Sequence, residues 1–169
     1  MAIYFADGSH MTAPMAEGWR VTSAFTGNAH PITNWEKQDD VHGSGTNGGP
    51  ILTYNSSTGV FTFAKTAYYL ITFTHYAYGN NIDSRYIEHY LYVSWNQGAN
   101  YDLHAYGTAH ITNGQSGNNH AGQTSSSIIS GTPNTRLRFK VQCNNGSVYT
   151  GYDTNAQTTG FTIAKVAGI

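Results

Sequence analysis

The stretch YNSSTGVFTFAKTAYYLITF, residues 54–73, decides the fold. Asn55 to Gly59 form a turn signal, because asparagine and glycine reverse the backbone at low cost. On both sides of Thr66-Ala67 the sequence alternates, and such alternation of aromatic and β-branched residues predicts half-buried strands. The two segments are expected to form a hairpin or two consecutive strands of one sheet. The predicted core side chains are Phe61, Phe63, Tyr69, Ile71 and Phe73.

Similar short patterns follow along the rest of the chain. The strongest is residues 85–96, RYIEHYLYVSWN, whose alternate faces carry Ile87, His89, Leu91, Val93 and Trp95, and Tyr86, Glu88, Tyr90, Tyr92 and Ser94. Neither face resembles a solvated one, which favours a strand in contact on both sides. Residues 115–122 are predicted to be a polar loop. About eight to ten short strands and no convincing helix predict an all-β, two-sheet jelly-roll sandwich.

Several of these residues also match a known family pattern. Tyr54 is followed seven residues later by Phe61, and then by Ala67-x-Tyr69-x-Ile71-x-Phe73. This spacing resembles the strand signature of the tumour necrosis factor-like and complement globular-head jelly rolls. The resemblance extends over roughly residues 21–169, and its late strands are matched around Phe139 and Phe161. It implies a jelly roll whose subunits associate as a trimer around an axis lined by aromatic and apolar strand residues.

The resemblance also implies which tyrosines line that axis. Tyr90, Tyr92 and Tyr76 are expected at the trimer interface, because tyrosine combines a large apolar area with a polar tip. The lack of a solvated face on residues 85–96 favours self-association. A monomer with a tyrosine-rich core or groove is the alternative.

Composition narrows the function classes. Only 10% of the residues are charged and the net charge is −1, so nucleic-acid binding is not expected. Uncharged Gly, Thr, Asn and Ser supply the polarity, a composition typical of viral coat, decoration and fibre proteins. Cys143 is the single cysteine and continues a core-facing series, so no intrachain disulfide is expected. No secretory signal or membrane span is expected either.

The first 18 residues differ in character from the rest. We interpret residues 1–18 as an N-terminal arm or anchoring segment and residues 19–169 as the jelly-roll domain. The arm either lies on the protein's own sheet or docks onto a neighbouring protein. Its anchoring side chains are predicted to be Ile3, Tyr4, Phe5, Met11 and Met15.

No catalytic, metal or cofactor site is predicted. His104 and His110 lie six residues apart on one predicted strand, about 20 Å at ~3.3 Å per residue, so one ion cannot bridge them. The other histidines show no metal-binding spacing. The carboxylates form no acid and base pair, and no Gly-x-Ser-x-Gly elbow occurs. An enzyme is therefore not expected.

Two functions remain from different classes. The first is a trimeric structural protein of a bacteriophage particle, a capsid decoration or cement protein anchored by its arm to a major capsid or other virion protein. Its expected location is the virion, after synthesis in the host cytoplasm. The second is a tail or surface recognition module that binds a host glycan or receptor through loops such as residues 43–49 and 115–122. Fold analogy alone does not separate them.

Overall fold

A computed structural model describes residues 3–4, 10–11, 16–38, 50–112, 118–152 and 158–168. Within these ranges the chain forms strands and no helix. In chain order they are β1 (Ile3–Tyr4), β2 (His10–Met11), β3 (Ala16–Val21), β4 (Phe25–Thr26), β5 (Trp35–Lys37), β6 (Leu52–Asn55), β7 (Val60–Phe63), β8 (Ala67–Asn80), β9 (Ser84–Ser94), β10 (Asp102–Ile111), β11 (Asn118–Gly131), β12 (Arg136–Cys143), β13 (Tyr149–Thr150) and β14 (Gly160–Gly168).

Two antiparallel sheets form the layers of a jelly-roll sandwich. The five-stranded sheet has the order β10-β9-β12-β7-β6. The seven-stranded sheet has the order β4-β13-β8-β14-β3-β5, and β11 pairs with the other edge of β8 along its whole length. Strands β1 and β2 pair with each other in a separate two-stranded sheet. The predicted all-β, two-sheet architecture is therefore confirmed.

The opening stretch divides between the two sheets. Its turn closes a hairpin of β6 and β7, and Gly59 at the turn has a φ of +66°, which favours glycine. Strands β7 and β8 do not pair with each other, because β7 belongs to the five-stranded sheet and β8 to the seven-stranded sheet. The prediction that they form one hairpin or share one sheet was wrong. The crossing brings both bulky rows into one core, where the Phe63 and Tyr69 ring centroids are 4.8 Å apart.

An aromatic cluster fills the centre of the sandwich. Phe139 stacks on Phe161 with ring centroids 4.3 Å apart and meets Phe73 at 4.8 Å. Trp35 packs against the same ring at 5.3 Å. Burial of each large apolar side chain contributes about 1.5–3 kcal/mol. The buried set includes Phe61, Phe63, Tyr69, Ile71, Phe73, Phe139 and Phe161.

Three local predictions were wrong. Residues 118–122, expected in a loop, begin the long edge strand β11, because pairing with β8 supports a polar strand that alternation alone does not identify. Trp95, placed on the same strand face as Leu91 and Val93, is exposed, since β9 ends at Ser94 and the chain turns there. Residues 16–18, assigned to the arm, belong to β3, where Glu17 is buried.

Candidate self-association surface

The outer face of the seven-stranded sheet is built mainly by β8 and β11. Inward-facing residues of β8 are buried, so every second residue from Tyr68 to Tyr78 faces outward. The register places Ile128 of β11 opposite Leu70 on one side, and Ala164 of β14 opposite it on the other. Side chains from three adjacent strands therefore form one continuous row.

One end of this face is apolar. Tyr68, Leu70, Ile128 and Ala164 form what we term the apolar patch. Three of these side chains are large and exposed: Ile128 by 61%, Tyr68 by 44% and Leu70 by 37%. Isolated exposed apolar residues are common on proteins, but a contiguous group marks a contact surface.

The middle of the face is a ladder of hydroxyl groups. The Thr72 hydroxyl lies 2.9 Å from that of Ser126, and the Thr74 hydroxyl lies 3.1 Å from that of Thr124. Each hydroxyl therefore has a partner within the sheet. The outward rows of β8 and β11 carry no Asp, Glu, Lys or Arg, so covering these two strands leaves no buried ion. The Arg20–Glu36 ion pair lies farther across the same sheet, on β3 and β5.

The other end is aromatic. The Tyr78 and Tyr149 rings stack at 5.1 Å, and Tyr76 stacks on His120 at 5.6 Å. The Tyr76 hydroxyl also hydrogen-bonds His120 Nδ1. Burial, followed by the neighbouring Tyr78, raises the pKa of Tyr76 above its ordinary value. Tyr76 is thus held in a fixed orientation on the same face as the apolar patch.

The other two predicted interface tyrosines lie on the opposite side of the molecule. Tyr90 and Tyr92 are on β9 and project from the outer face of the five-stranded sheet, where their rings stack at 6.0 Å. One flat interface cannot include them together with Tyr76. Both are partly buried within the single subunit, so contact on this side of residues 85–96 stays a prediction.

Cations cover this second face. Arg138 lies 3.9 Å from the Tyr101 ring and 5.5 Å from the Tyr92 ring, and Lys140 lies 4.8 Å from the Tyr90 ring. Burial raises the pKa of Tyr90, as do the hydrogen bond from its hydroxyl to Glu88 and the charge of that carboxylate.

Comparisons with known proteins agree with the strand topology. No family model matches the chain, and no curated protein matches its sequence. Among solved structures, Eiger TNF from S. frugiperda is 14% identical with a TM-score of 0.68, over 93% of this chain and 95% of that one. Murine APRIL at pH 5.0 is 9% identical with a TM-score of 0.61, over 90% of this chain and 99% of that one. The chain has the tumour necrosis factor-like jelly-roll fold.

The predicted arm is described only in part on this TNF-like jelly roll. Ile3 is the register partner of Met11, and Tyr4 is that of His10, in the β1–β2 pair. Phe5 and Met15 lie outside the described residues, as do residues 43–49 and 115–117 of the proposed recognition loops.

The described ranges contain neither a metal-binding cluster nor a membrane-spanning helix. No group of three or more His, Cys, Asp or Glu side chains there is arranged to hold a metal ion. No helix in that part of the chain is long and apolar enough to cross a membrane.

Sequence reasoning missed most of the apolar patch. The signal for Tyr68 and Leu70 was present, because they alternate with the predicted core residues Tyr69 and Ile71. Ile128 was also detectable in principle: it precedes the buried Ile129, and adjacent strand residues face opposite ways. Their meeting on one surface depends on the pairing of β8 with β11, for which the sequence carries no local signal.

Proposed function

We propose that this chain is a non-enzymatic structural protein that works as a homotrimer, associated through the outer face of its seven-stranded sheet. The apolar patch carries the proposal, because it is the exposed apolar group that continues into an uncharged, internally hydrogen-bonded surface. Similarity of fold to tumour necrosis factor-like proteins supports a threefold arrangement by analogy.

The energetics favour burial of the whole face rather than of the patch alone. Each large apolar side chain removed from water contributes about 1.5–3 kcal/mol. Association costs about 4–15 kcal/mol in lost freedom. The three large patch residues start only 37–61% exposed and so contribute less than this full-burial value. Covering the threonine and tyrosine rows as well adds to their contribution.

We further propose that the trimer belongs to a bacteriophage particle, in which it decorates or cements the capsid. The support is the low charge content, the uncharged polar composition and the apolar residues of the N-terminal arm. In this proposal residues 1–15 anchor the trimer to a major capsid or other virion protein, and the jelly roll projects outward.

The trimer is tested by placing a charge in the patch. Ile128→Asp is expected to convert a particle of three times the 18.4 kDa subunit mass into single subunits, measured by light scattering after size exclusion. Tyr106→Asp is the matched control: Tyr106 is 59% exposed, but it lies on the outer face of the five-stranded sheet. A wild-type protein that is a single subunit at micromolar concentration contradicts the proposal.

The proposal that the N-terminal arm anchors the trimer to a capsid is tested by deleting residues 1–15. The deletion ends there because β3 begins at Ala16 and contains the buried Glu17. The shortened chain is expected to remain trimeric but no longer to join particles. Copy number in a purified particle gives a second check: many copies on symmetry axes support decoration, whereas a few copies at one vertex contradict it.

The tyrosine and cation surface of the five-stranded sheet favours a second candidate, a recognition module for a host glycan. Aromatic rings beside Arg138 and Lys140 fit a sugar that carries carboxylate or sulfate groups. In this candidate the binding surface is the strand face rather than the loops. We expect Arg138→Ala and Lys140→Ala to lose binding to an acidic polysaccharide. Ile128→Asp should bind as much polysaccharide per subunit as the wild-type protein. This pair of results would support the second candidate.

A further inference from the structure

Two buried histidines lie beneath the edge strand β11. His75 of β8 and His89 of β9 project into the sandwich from opposite sheets, and their ring centroids are 6.2 Å apart. Gln123 and Ser125 of β11 contact them: Gln123 Nε2 lies 3.2 Å from His75 Nδ1, and Ser125 Oγ lies 2.7 Å from His89 Nε2. Both histidines are fully or almost fully buried.

The hydrogen bonds define the protonation state of His75. Gln123 Nε2 also donates to the backbone oxygen of Ile87, 3.1 Å away on the opposite sheet, so the amide orientation is set by an acceptor that cannot donate. His75 Nδ1 must therefore accept from Gln123. The ring carries its proton on Nε2, from which it donates to the Thr150 hydroxyl at 3.2 Å.

Two buried polar atoms of this cluster lack a partner. They are His89 Nδ1 and Gln123 Oε1. Gly107, the register partner of His89, packs closely on the cluster: a Cβ there would lie 2.9 Å from His89 Cε1 and 3.3 Å from Gln123 Oε1. A neutral His89 with its proton on Nε2 leaves only a lone pair unpaired, whereas a protonated His89 would bury an N–H without an acceptor.

The surroundings offer no charge to stabilise protonated rings. Beside the pair, the inward-facing residues of β9, β10, β11 and β13 include no Asp, Glu, Lys or Arg within the described ranges. Another titratable side chain in contact with the inner row of β11 is His104 of β10, whose Nδ1 lies 2.6 Å from the Ser127 hydroxyl. Glu88 of β9 and Lys140 of β12 face outward. Cys143 of β12 shares the small cavity beside His75, and burial raises the pKa of its thiol, so it stays neutral in acid. On β8 the other inward titratable group, Tyr69, packs on Phe63.

We propose that His75, Gln123 and His89 form an acid-sensitive latch, which ties β11 to the opposite sheet while both rings are neutral and releases β11 when they are protonated. When His75 is protonated, its Nδ1–H and the Gln123 Nε2–H both donate and face each other without an acceptor. Turning the Gln123 amide over restores an acceptor there, but places Oε1 against the Ile87 oxygen and breaks the bond between the sheets. Either result loosens β11.

The latch bears on assembly because β11 carries Ile128 of the apolar patch. Release of the strand disorders part of the surface that we propose for self-association. Acid is therefore expected to weaken the trimer, and this last step rests on the proposed function. The physical cause is burial, which lowers the pKa of His75 to about 3 and that of His89 to about 4.

Hydrogen exchange of the β11 amides at pH 7.5 and pH 5.0, corrected for the intrinsic pH dependence, tests the latch. In the wild-type protein we expect opening to increase by about tenfold or more. In His75→Gln/His89→Gln, whose side chains cannot take up a proton, the increase is expected to stay below about twofold. His110→Gln, which replaces an exposed histidine on β10, should behave as wild type.

Equal opening at both pH values in the wild type, or the same increase in the double variant, overturns the latch. If the double variant does not fold, ring ¹⁵N shifts of the wild type decide. Two rings that stay neutral below pH 5 until β11 opens support it, and rings that titrate at the ordinary value without any change in β11 overturn it.

The subunit mass at both pH values separates the latch from the proposed function. A trimer that dissociates at pH 5.0 in the wild type but not in the double variant supports the assembly step, and a trimer that persists overturns it. A single subunit at pH 7.5 overturns the proposed function, while exchange still decides the latch.

Discussion

Two buried polar sites in this sandwich are satisfied to different degrees. The Glu17 carboxylate on β3 accepts hydrogen bonds on both oxygens. Lys37 Nζ and the Ile51 amide each lie 2.8 Å from Oε1. The Leu52 amide and Trp19 Nε1 each lie 3.3 Å from Oε2. In the His75–Gln123–His89 cluster, by contrast, two buried polar atoms have no partner.

The difference shows that a buried polar group can either join strands through its hydrogen bonds or make the fold sensitive to pH. A fully partnered carboxylate joins β3, β5 and the start of β6, and its removal leaves several buried donors without an acceptor. An incompletely partnered imidazole has a neutral state that the core tolerates and a charged state that it does not. The first site is expected to respond strongly to mutation and the second to pH.

Removal of Glu17 is expected to have the largest effect. Glu17→Ala leaves the Ile51 and Leu52 amides and the Lys37 ammonium without their acceptor, and should lower the free energy of unfolding by about 3–5 kcal/mol. Urea denaturation measures it. Glu36→Ala is the control, because Glu36 pairs with Arg20 at 2.7 Å on a partly exposed surface and should cost at most about 1 kcal/mol. Equal losses in the two variants would contradict the comparison.

Acid should reduce stability through the histidine cluster. The pKa values of about 3 for His75 and about 4 for His89 lie below the unfolded value of 6.5. Between these values the unfolded chain binds protons at both histidines and the folded chain does not. Stability is therefore complete above pH 6.5 and falls as the pH drops toward the folded pKa values. The loss at pH 5 is about 2 kcal/mol per histidine.

Urea midpoints from pH 7.5 to pH 5 measure this loss. His75→Gln and His89→Gln should each remove about half of the pH dependence. A profile in either variant that parallels the wild type would show that other groups cause it.

A methyl group beside the cluster should have the smallest effect of the three. A Cβ at Gly107 would lie 2.9 Å from His89 Cε1 and 3.3 Å from Gln123 Oε1, so Gly107→Ala should cost about 1–3 kcal/mol. Gly146→Ala is the control, because Gly146 is exposed in a turn away from the proposed interface and nothing lies within 4 Å of its Cβ position, so it should change stability by less than about 0.5 kcal/mol. Thermal unfolding of the two variants measures the difference; equal midpoints would show that the cluster is loosely packed.

The inward rows of the strands were predictable. Phe61 and Phe63 on β7, and Tyr69, Ile71 and Phe73 on β8, were assigned to the core from alternation, and all are buried. Alternation works because a strand presents every second side chain to the same side, and only the apolar row can be buried without losing hydrogen bonds to water.

The candidate site was predictable only in part. Tyr76 lies on the proposed surface, but Tyr90 and Tyr92 lie on the other outer face, where cations cover their rings. The histidine cluster was missed altogether, because His75, His89 and Gln123 are far apart in sequence and no spacing connects them.

The sequence by itself determined the inward rows of the apolar strands and the low charge content, because each depends on the order of side chains within a few residues. The tertiary structure alone decided which sheet each strand joins. Strand β7 joins the five-stranded sheet, which also contains β9, whereas β8 joins the seven-stranded sheet after only a short connection. The outward rows of β8 and β9 therefore point in opposite directions. Hydrogen-bond partners of a strand are chosen by packing of the whole chain, and that choice assembled both the apolar patch and the histidine cluster.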